Sequence, residues 1–402
     1  MSHQYDFDRV IDRHGTGALK TDALVETFGR PDLTALWIAD MDFAVAPEIS
    51  QTLALRFSHP IFGYSGAPDS YWNSIIDWLD HRHGFKVTRE ELTFIPGVVK
   101  GIGYAVNFFT DKGDGVLIQP PVYHPFKMVI EGNDRRLVTN PLRLEADGKT
   151  YSMDFDDLEA KMRDEHPRMM ILCNPHNPAG VQWSAETLRE VARLARKYDV
   201  KVVSDEIHGD LMLWGNSHVP FVSVSDDAAA VGIMLGAPSK TFNIPGLVSS
   251  WMVVKNPELR RDFYRWLEAN EFDVPTLTAT IATETAYRQC ERWLDDALSY
   301  IEENIKAAEA FVADRMPMMR CMRPDASFLI WLDCRALDLE QRNLVDMMVN
   351  EARLALNDGE MFGKEGRGFM RLNVATPRAV LLAALDKLAR AVAHHVPAMA
   401  EA

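Results

Sequence analysis

Apolar runs bounded by turn residues alternate with amphipathic segments through the middle of this 402-residue chain. Val116-Leu117-Ile118-Gln119 stops at Pro120-Pro121, and Arg168 to Cys173 stops at Asn174-Pro175. Val200 to Ser204 stops at Asp205-Glu206, and Val231 to Gly236 stops at Ala237-Pro238. Runs this short and this apolar predict strands buried on both faces. Between the second and third, Leu188, Val191, Ala192 and Ala195 fall at i, i+3, i+4 and i+7. That spacing predicts a helix over 184–198 with Ser184 as its N-cap. Strand, helix and strand in this order make a βαβ unit and imply a largely parallel sheet covered on both sides. Ligands of such sheets gather beyond the carboxyl ends of the strands.

Beyond Thr276 the pattern becomes helical for about forty residues, through Glu284, Trp293, Tyr300 and Phe311, with room for one break. Phe328 to Leu332 and Met370 to Val374 then predict strands, and a last amphipathic helix covers 377–394. The chain is long for one core. The division expected is a large α/β domain over 48–285 and a smaller α+β domain built from 1–47 and 286–402.

Composition narrows the function. The net charge of −15 argues against nucleic acid and against an anionic membrane surface. Cys173, Cys290, Cys321 and Cys334 show no CxxC pair and no zinc-like spacing, so reduced thiols and no metal site are expected. No apolar run approaches the length of a membrane span. The first residues lack the basic and apolar regions of a secretory signal, so a cytoplasmic protein is expected.

The unusual residues cluster at predicted strand ends. Pro238-Ser239-Lys240-Thr241 follows a buried strand, and a lysine held there can form a Schiff base with a carbonyl cofactor, above all pyridoxal phosphate. Asp205 closes the strand before it and can pair with a protonated pyridine nitrogen, keeping the ring cationic; capping the next turn is the alternative. His208, three residues on, can touch the phenolic oxygen of that ring or serve as a structural histidine. In Cys173-Asn174-Pro175-His176-Asn177-Pro178-Ala179-Gly180, one turn would need one Asn-Pro pair and there are two. Asn177 is therefore a candidate donor to the ring O3′. Gly97 lets the chain bend into a helix start, and the free N–H groups of Val98 and Val99 make a place for phosphate. Tyr123 can stack on a pyridine ring or pack on its neighbouring prolines. Arg371 is a charge inside an apolar strand, suited to clamping a substrate carboxylate or to a structural salt bridge.

In this order Gly97-Val98-Val99, Tyr123, Asn177-Pro178-x-Gly180, Asp205, Ser239-Lys240 and Arg371 resemble the class I/II aminotransferase superfamily of pyridoxal phosphate enzymes. The likeness spans nearly the whole chain and implies an α/β, aminotransferase-like fold of type I. Trp37-Ile38-Ala39-Asp40-Met41-Asp42-Phe43, Phe62-Gly63-Tyr64-Ser65, Pro121-Val122-Tyr123-His124-Pro125-Phe126 and Ser239-Lys240-Thr241-Phe242-Asn243 resemble its MalY/PatB branch of cystathionine β-lyases and C–S lyases. The resemblance implies that Lys240, Asp205 and Tyr123 act in catalysis and that Lys240 carries the cofactor and moves the Cα proton. It further implies that Tyr64 reaches the cofactor phosphate of a second subunit in a homodimer. The backbone at Ala39 would help Arg371 hold the substrate carboxylate.

Two departures stand out. Val248 occupies the position of a frequent phosphate-binding arginine, and Ala237 that of a frequent serine. Phosphate must then be met by the helix start, Ser239 and nearby loops. The reaction implied is α,β-elimination from L-cystathionine or another S-substituted cysteine, giving thiol, pyruvate and ammonia. Transamination uses the same residues and stays open, and so does a regulatory role through binding a transcription factor.

Overall fold

The computed structural model describes residues 5–395. Its central sheet contains β1 (Leu92–Ile95), β2 (Gly115–Ile118), β3 (Arg136–Thr139), β4 (Met169–Cys173), β5 (Lys201–Asp205), β6 (Gly232–Gly236) and β7 (Ser250–Val253). The strand order is β1-β7-β6-β5-β4-β2-β3. Neighbours from β6 to β3 are parallel, and β7 runs antiparallel to both β6 and β1.

Alternation along the strands explains why these runs are apolar throughout. Met169, Ile171 and Val203 pack with Ile102 and Val106 of α1 (Val98–Phe109) on one face. Met170, Leu172 and Val202 pack with Leu188 and Val191 of α2 (Ala185–Lys197) on the other. A strand covered on both faces has no solvent side on which to place polar residues. The N-cap is as expected, with Ser184 Oγ accepting the Thr187 N–H at 3.1 Å.

After β6 come the short helix α3 (Pro238–Thr241) and strand β7, then α4 (Leu277–Gln289) and α5 (Glu291–Arg315), which meet at Cys290. The expected long helical stretch is thus broken once. A second sheet follows, made of β8 (Arg320–Met322), β9 (Leu329–Asp333), β10 (Asn357–Asp358) and β11 (Phe369–Asn373). Its order is β8-β9-β11-β10, antiparallel throughout. The last helix, α6, covers Arg378–His395. Thr34–Ala35 pairs in parallel with Leu354–Ala355, which ties the N-terminal arm to the C-terminal layer. All four cysteines are free thiols. Among the described residues no helix is long and apolar enough to cross a membrane, and no His/Cys/Asp/Glu group is placed to hold a metal ion.

Candidate active site

The turn after β6 presents Lys240. At Gly236 a side chain is excluded, because a Cβ there would sit 2.3 Å from the Trp251 ring. Pro238 then opens α3, and the Phe242 N–H closes it on the Pro238 carbonyl at 2.9 Å. Lys240 Nζ donates to the carbonyl of Ala39, two hundred residues away in sequence. Ala39 belongs to an irregular segment that two asparagines clamp. Asn243 accepts from the Met41 N–H at 2.9 Å and donates to the carbonyls of Met41 (3.0 Å) and Phe43 (2.9 Å). Asn373, ending β11, donates to the carbonyls of Ile38 and Asp40, each at 2.7 Å.

Asp205 ends β5, in register between Cys173 and Leu235. It is buried, and its Oδ1 accepts the Ile207 N–H at 3.1 Å. Burial pushes its carboxyl up to about 7, against the downward pull of the Ile207 hydrogen bond and of Lys240. Burial also pulls the Lys240 amine down to about 8, opposed by Asp40 and Asp205. The carboxylate expected to face a cation therefore faces too little positive charge within the chain alone. It is poised to ionise when a cationic group comes against it.

Lys240 and Asp205 share a cavity of about 300 Å³ with Ala39, Val98, Val99, Tyr123, Asn177, His208 and Ser239. The size falls in the range of small-molecule sites. Gly97 has φ of +112°, a backbone state that favours glycine, and it turns the chain directly into α1. The first N–H groups of α1 lack helical partners and face the cavity floor where Val98 and Val99 lie. His208 is buried, its Nδ1 has no partner among the described residues, and burial pulls the ring down to about 3, so it is neutral. Desolvation likewise raises the Tyr123 hydroxyl above its usual range.

Two predicted residues stand outside the cavity lining. Arg371, on β11, donates to Asn177 Oδ1 (3.0 Å), the Trp37 carbonyl (3.0 Å) and Asn357 Oδ1 (2.6 Å). It is buried, its Nε is unpartnered, and burial lowers it to about 10. No carboxylate pairs with it among the described residues, so the structural salt bridge considered for it is not found. A buried guanidinium without an anion is costly, and an incoming carboxylate would relieve that cost. Because Asn177 accepts through Oδ1, its amide NH₂ remains the donor side. Tyr64 is fully exposed and away from the cavity of its own chain.

Other residues escaped the sequence reading. Lys100, the third residue of α1, lines the cavity and is the cation nearest to the helix start in sequence; its offset of three from Gly97 was the available signal. Val248 lines it too, at φ of +51°. Behind the site stand two buried carboxylates. Glu206 accepts from Ser204 Oγ (2.8 Å) and the Phe221 N–H (2.9 Å) and lies 2.6 Å from His218 Nε2. Asp210 accepts from Trp78 Nε1 (2.9 Å) and Thr241 Oγ1 (2.8 Å) and lies 2.7 Å from His83 Nε2. These anchors hold the residues next to Asp205 and Lys240 in the chain. The carbonyl of Ala39 is occupied by Lys240, so any help to a substrate carboxylate would have to come from the Ala39 N–H.

The geometry has clear relatives. A model of the family aminotransferase class I and II matches residues 37–388. The cystathionine beta-lyase PatB of Bacillus subtilis (strain 168) is 43% identical over 387 residues, covering 96% of this chain and 100% of that one. Cystalysin from Treponema denticola, whose crystal structure contains pyridoxal 5′-phosphate, superposes with a TM-score of 0.93 at 32% identity, covering 97% of this chain and 99% of that one. The pyridoxal phosphate-bound C–S lyase from Staphylococcus hominis superposes with a TM-score of 0.89 at 31% identity, covering 96% and 98%. With a buried lysine and aspartate at adjacent strand ends of a mostly parallel sheet, and with these matches over nearly its whole length, this chain belongs to the aminotransferase class I and II family.

Proposed function

We propose that this protein is a pyridoxal phosphate-dependent carbon–sulfur lyase that cleaves L-cystathionine or related S-substituted cysteines to thiol, pyruvate and ammonia by α,β-elimination. The observation that carries the proposal is the Lys240 amine sharing one cavity with the buried Asp205 carboxylate. When bound, pyridoxal phosphate supplies a carbonyl carbon for an amine and an electron-accepting ring beside the substrate Cα.

The residues present fit that group. Asp205 would hold the proton on the ring nitrogen, and its buried carboxyl gains a cationic partner in doing so. The Asn177 amide would donate to the ring oxygen, with the neutral His208 close by, and Tyr123 would cover the ring face. The N–H groups of Val98 and Val99, Ser239 and the Lys100 ammonium would hold the phosphate. Arg371 and the Ala39 N–H would orient the substrate carboxylate. Lys240 Nζ would then take the Cα proton while the thiolate departs from Cβ.

Two finer parts belong to the same proposal. A second copy of the chain would cover the exposed Leu55, Phe57, Ile61 and Phe62 and bring Tyr64 to the partner's phosphate. The domain division at 48–285, with 1–47 and 286–402 forming the smaller unit, is supported by the central sheet lying wholly within Leu92–Val253. Free thiols and an acidic surface suit the cytoplasm.

The direct test supplies L-cystathionine to holoenzyme without any keto-acid acceptor. Pyruvate and free thiol should appear in equal amounts. Product that forms only when an acceptor is added would make the protein an aminotransferase instead. Lys100→Ala should weaken cofactor affinity about tenfold, read by fluorescence titration of cofactor-free protein, because it removes one charge-assisted phosphate contact. The rate of cofactor uptake should rise with pH and level off above about 8, since only the neutral Lys240 amine attacks a carbonyl and its proton leaves near that pH. A flat profile from pH 6 to 9 would remove Lys240 from that step.

A further inference from the structure

Lys240 borders a second cavity, of about 610 Å³, on the side away from the cofactor-binding loops. Its walls include Ile11, Arg13 and Leu19 from the N-terminal arm, and Asp40 and Asp42 from the clamped segment. With the first cavity taken by cofactor, this is the open space next to the Lys240 amine in which a leaving group attached to Cβ can extend.

The charges in that space are of both signs. Arg13 Nη2 lies 2.7 Å from Asp40 Oδ2, and Arg13 Nη1 lies 3.1 Å from Asp42 Oδ1. Lys20 Nζ lies 2.9 Å from Asp42 Oδ1 and 3.5 Å from Asp40 Oδ1. Lys20 is sealed in, at 1% side-chain exposure, whereas Arg13 and Asp42 retain 24% and 19%. Lys20 is thus a fixed internal counter-ion, and Arg13 and Asp42 are the accessible pair. A plain alkyl chain entering here would strip water from ionised groups and return no hydrogen bond. A group bearing both an ammonium and a carboxylate would satisfy each member of the pair.

We propose that this cavity receives the sulfur-side substituent and selects one ending in an amino-acid head group, its ammonium on Asp42 and its carboxylate on Arg13. The preferred substrates are then thioethers or disulfides joining two amino acids, ahead of S-alkyl cysteines. This rests on the lyase reading above and adds the specificity.

The test compares kcat/KM of the holoenzyme on four isosteric substrates: L-cystathionine, S-aminopropyl-L-cysteine, S-carboxypropyl-L-cysteine and S-propyl-L-cysteine. L-cystathionine should exceed the S-propyl compound at least about tenfold, the discrimination expected when a site built for polar groups meets an analogue lacking them. Arg13→Gln should narrow the advantage of L-cystathionine over S-aminopropyl-L-cysteine. Asp42→Asn should narrow its advantage over S-carboxypropyl-L-cysteine. Each ratio should fall at least about fivefold, by the loss of one charged contact. A merely structural role would lower all four substrates by one factor, and that result overturns the proposal. So does a wild-type enzyme that cleaves the S-propyl compound as well as L-cystathionine. If the wild type releases thiol from none of the four, the lyase reading itself fails and takes this specificity with it.

Discussion

Replacing Lys240 with alanine should abolish lyase turnover, by at least about a thousandfold, and with it the visible absorbance of the lysine-bound cofactor. Two losses combine: the covalent anchor for the cofactor, and the base for the Cα proton, which alone contributes about a hundred- to ten-thousandfold in enzymes that use one. The fold should survive. The side chain makes one hydrogen bond, to the Ala39 carbonyl, and α3 is closed by backbone contacts that alanine keeps. Removing a cation that burial already disfavours also offsets part of any lost packing. The melting temperature of the cofactor-free variant, followed by circular dichroism, should stay within a few degrees of wild type. Undiminished turnover would refute the assignment of this lysine.

The second large effect is expected at Asp205. Asp205→Ala should still bind cofactor through the phosphate loop and Lys240, yet lose on the order of a hundred- to a thousandfold in kcat. That is the scale on which one preorganised electrostatic contact to the reacting system acts. Alanine also orphans the Ile207 N–H, which the carboxylate accepts at 3.1 Å. Asp205→Asn separates the two effects: its amide oxygen can keep that hydrogen bond, and only the charge is lost. Both variants should lose similar rate if charge opposite the ring nitrogen is what matters. Turnover near wild type in either would mean that this carboxylate only caps the turn after β5.

The account also shows which features a sequence carries openly. Strands β4 and β5 and helix α2 were legible because burial on one or two faces imposes a period on neighbouring residues. Ser184 was legible because a cap sits next to the helix it serves. Lys240, Asp205, Asn177 and Tyr123 stood out as polar residues at the ends of apolar runs, where parallel sheets place ligands. What stayed hidden depends on distant partners. Asn243 and Asn373 reach the segment around Ala39 across two to three hundred residues, and such a clamp leaves no periodic trace. The pairings of Glu206 with His218 and of Asp210 with His83 are of the same kind. The Arg13 and Asp42 pair was invisible because an arm without regular structure carries Arg13. Arg371 was recognised as a misplaced charge, but its partners, two asparagines and a backbone carbonyl, were not foreseeable from an apolar strand.

The central claim is a carbon–nitrogen bond between one lysine and the cofactor aldehyde. Borohydride reduction of the holoenzyme, followed by proteolysis and mass spectrometry, fixes that bond where it forms. The account predicts a pyridoxyl-phosphate adduct on the peptide containing Lys240 and on no other. An adduct on a different lysine, or none while the protein still cleaves its thioether, would contradict it.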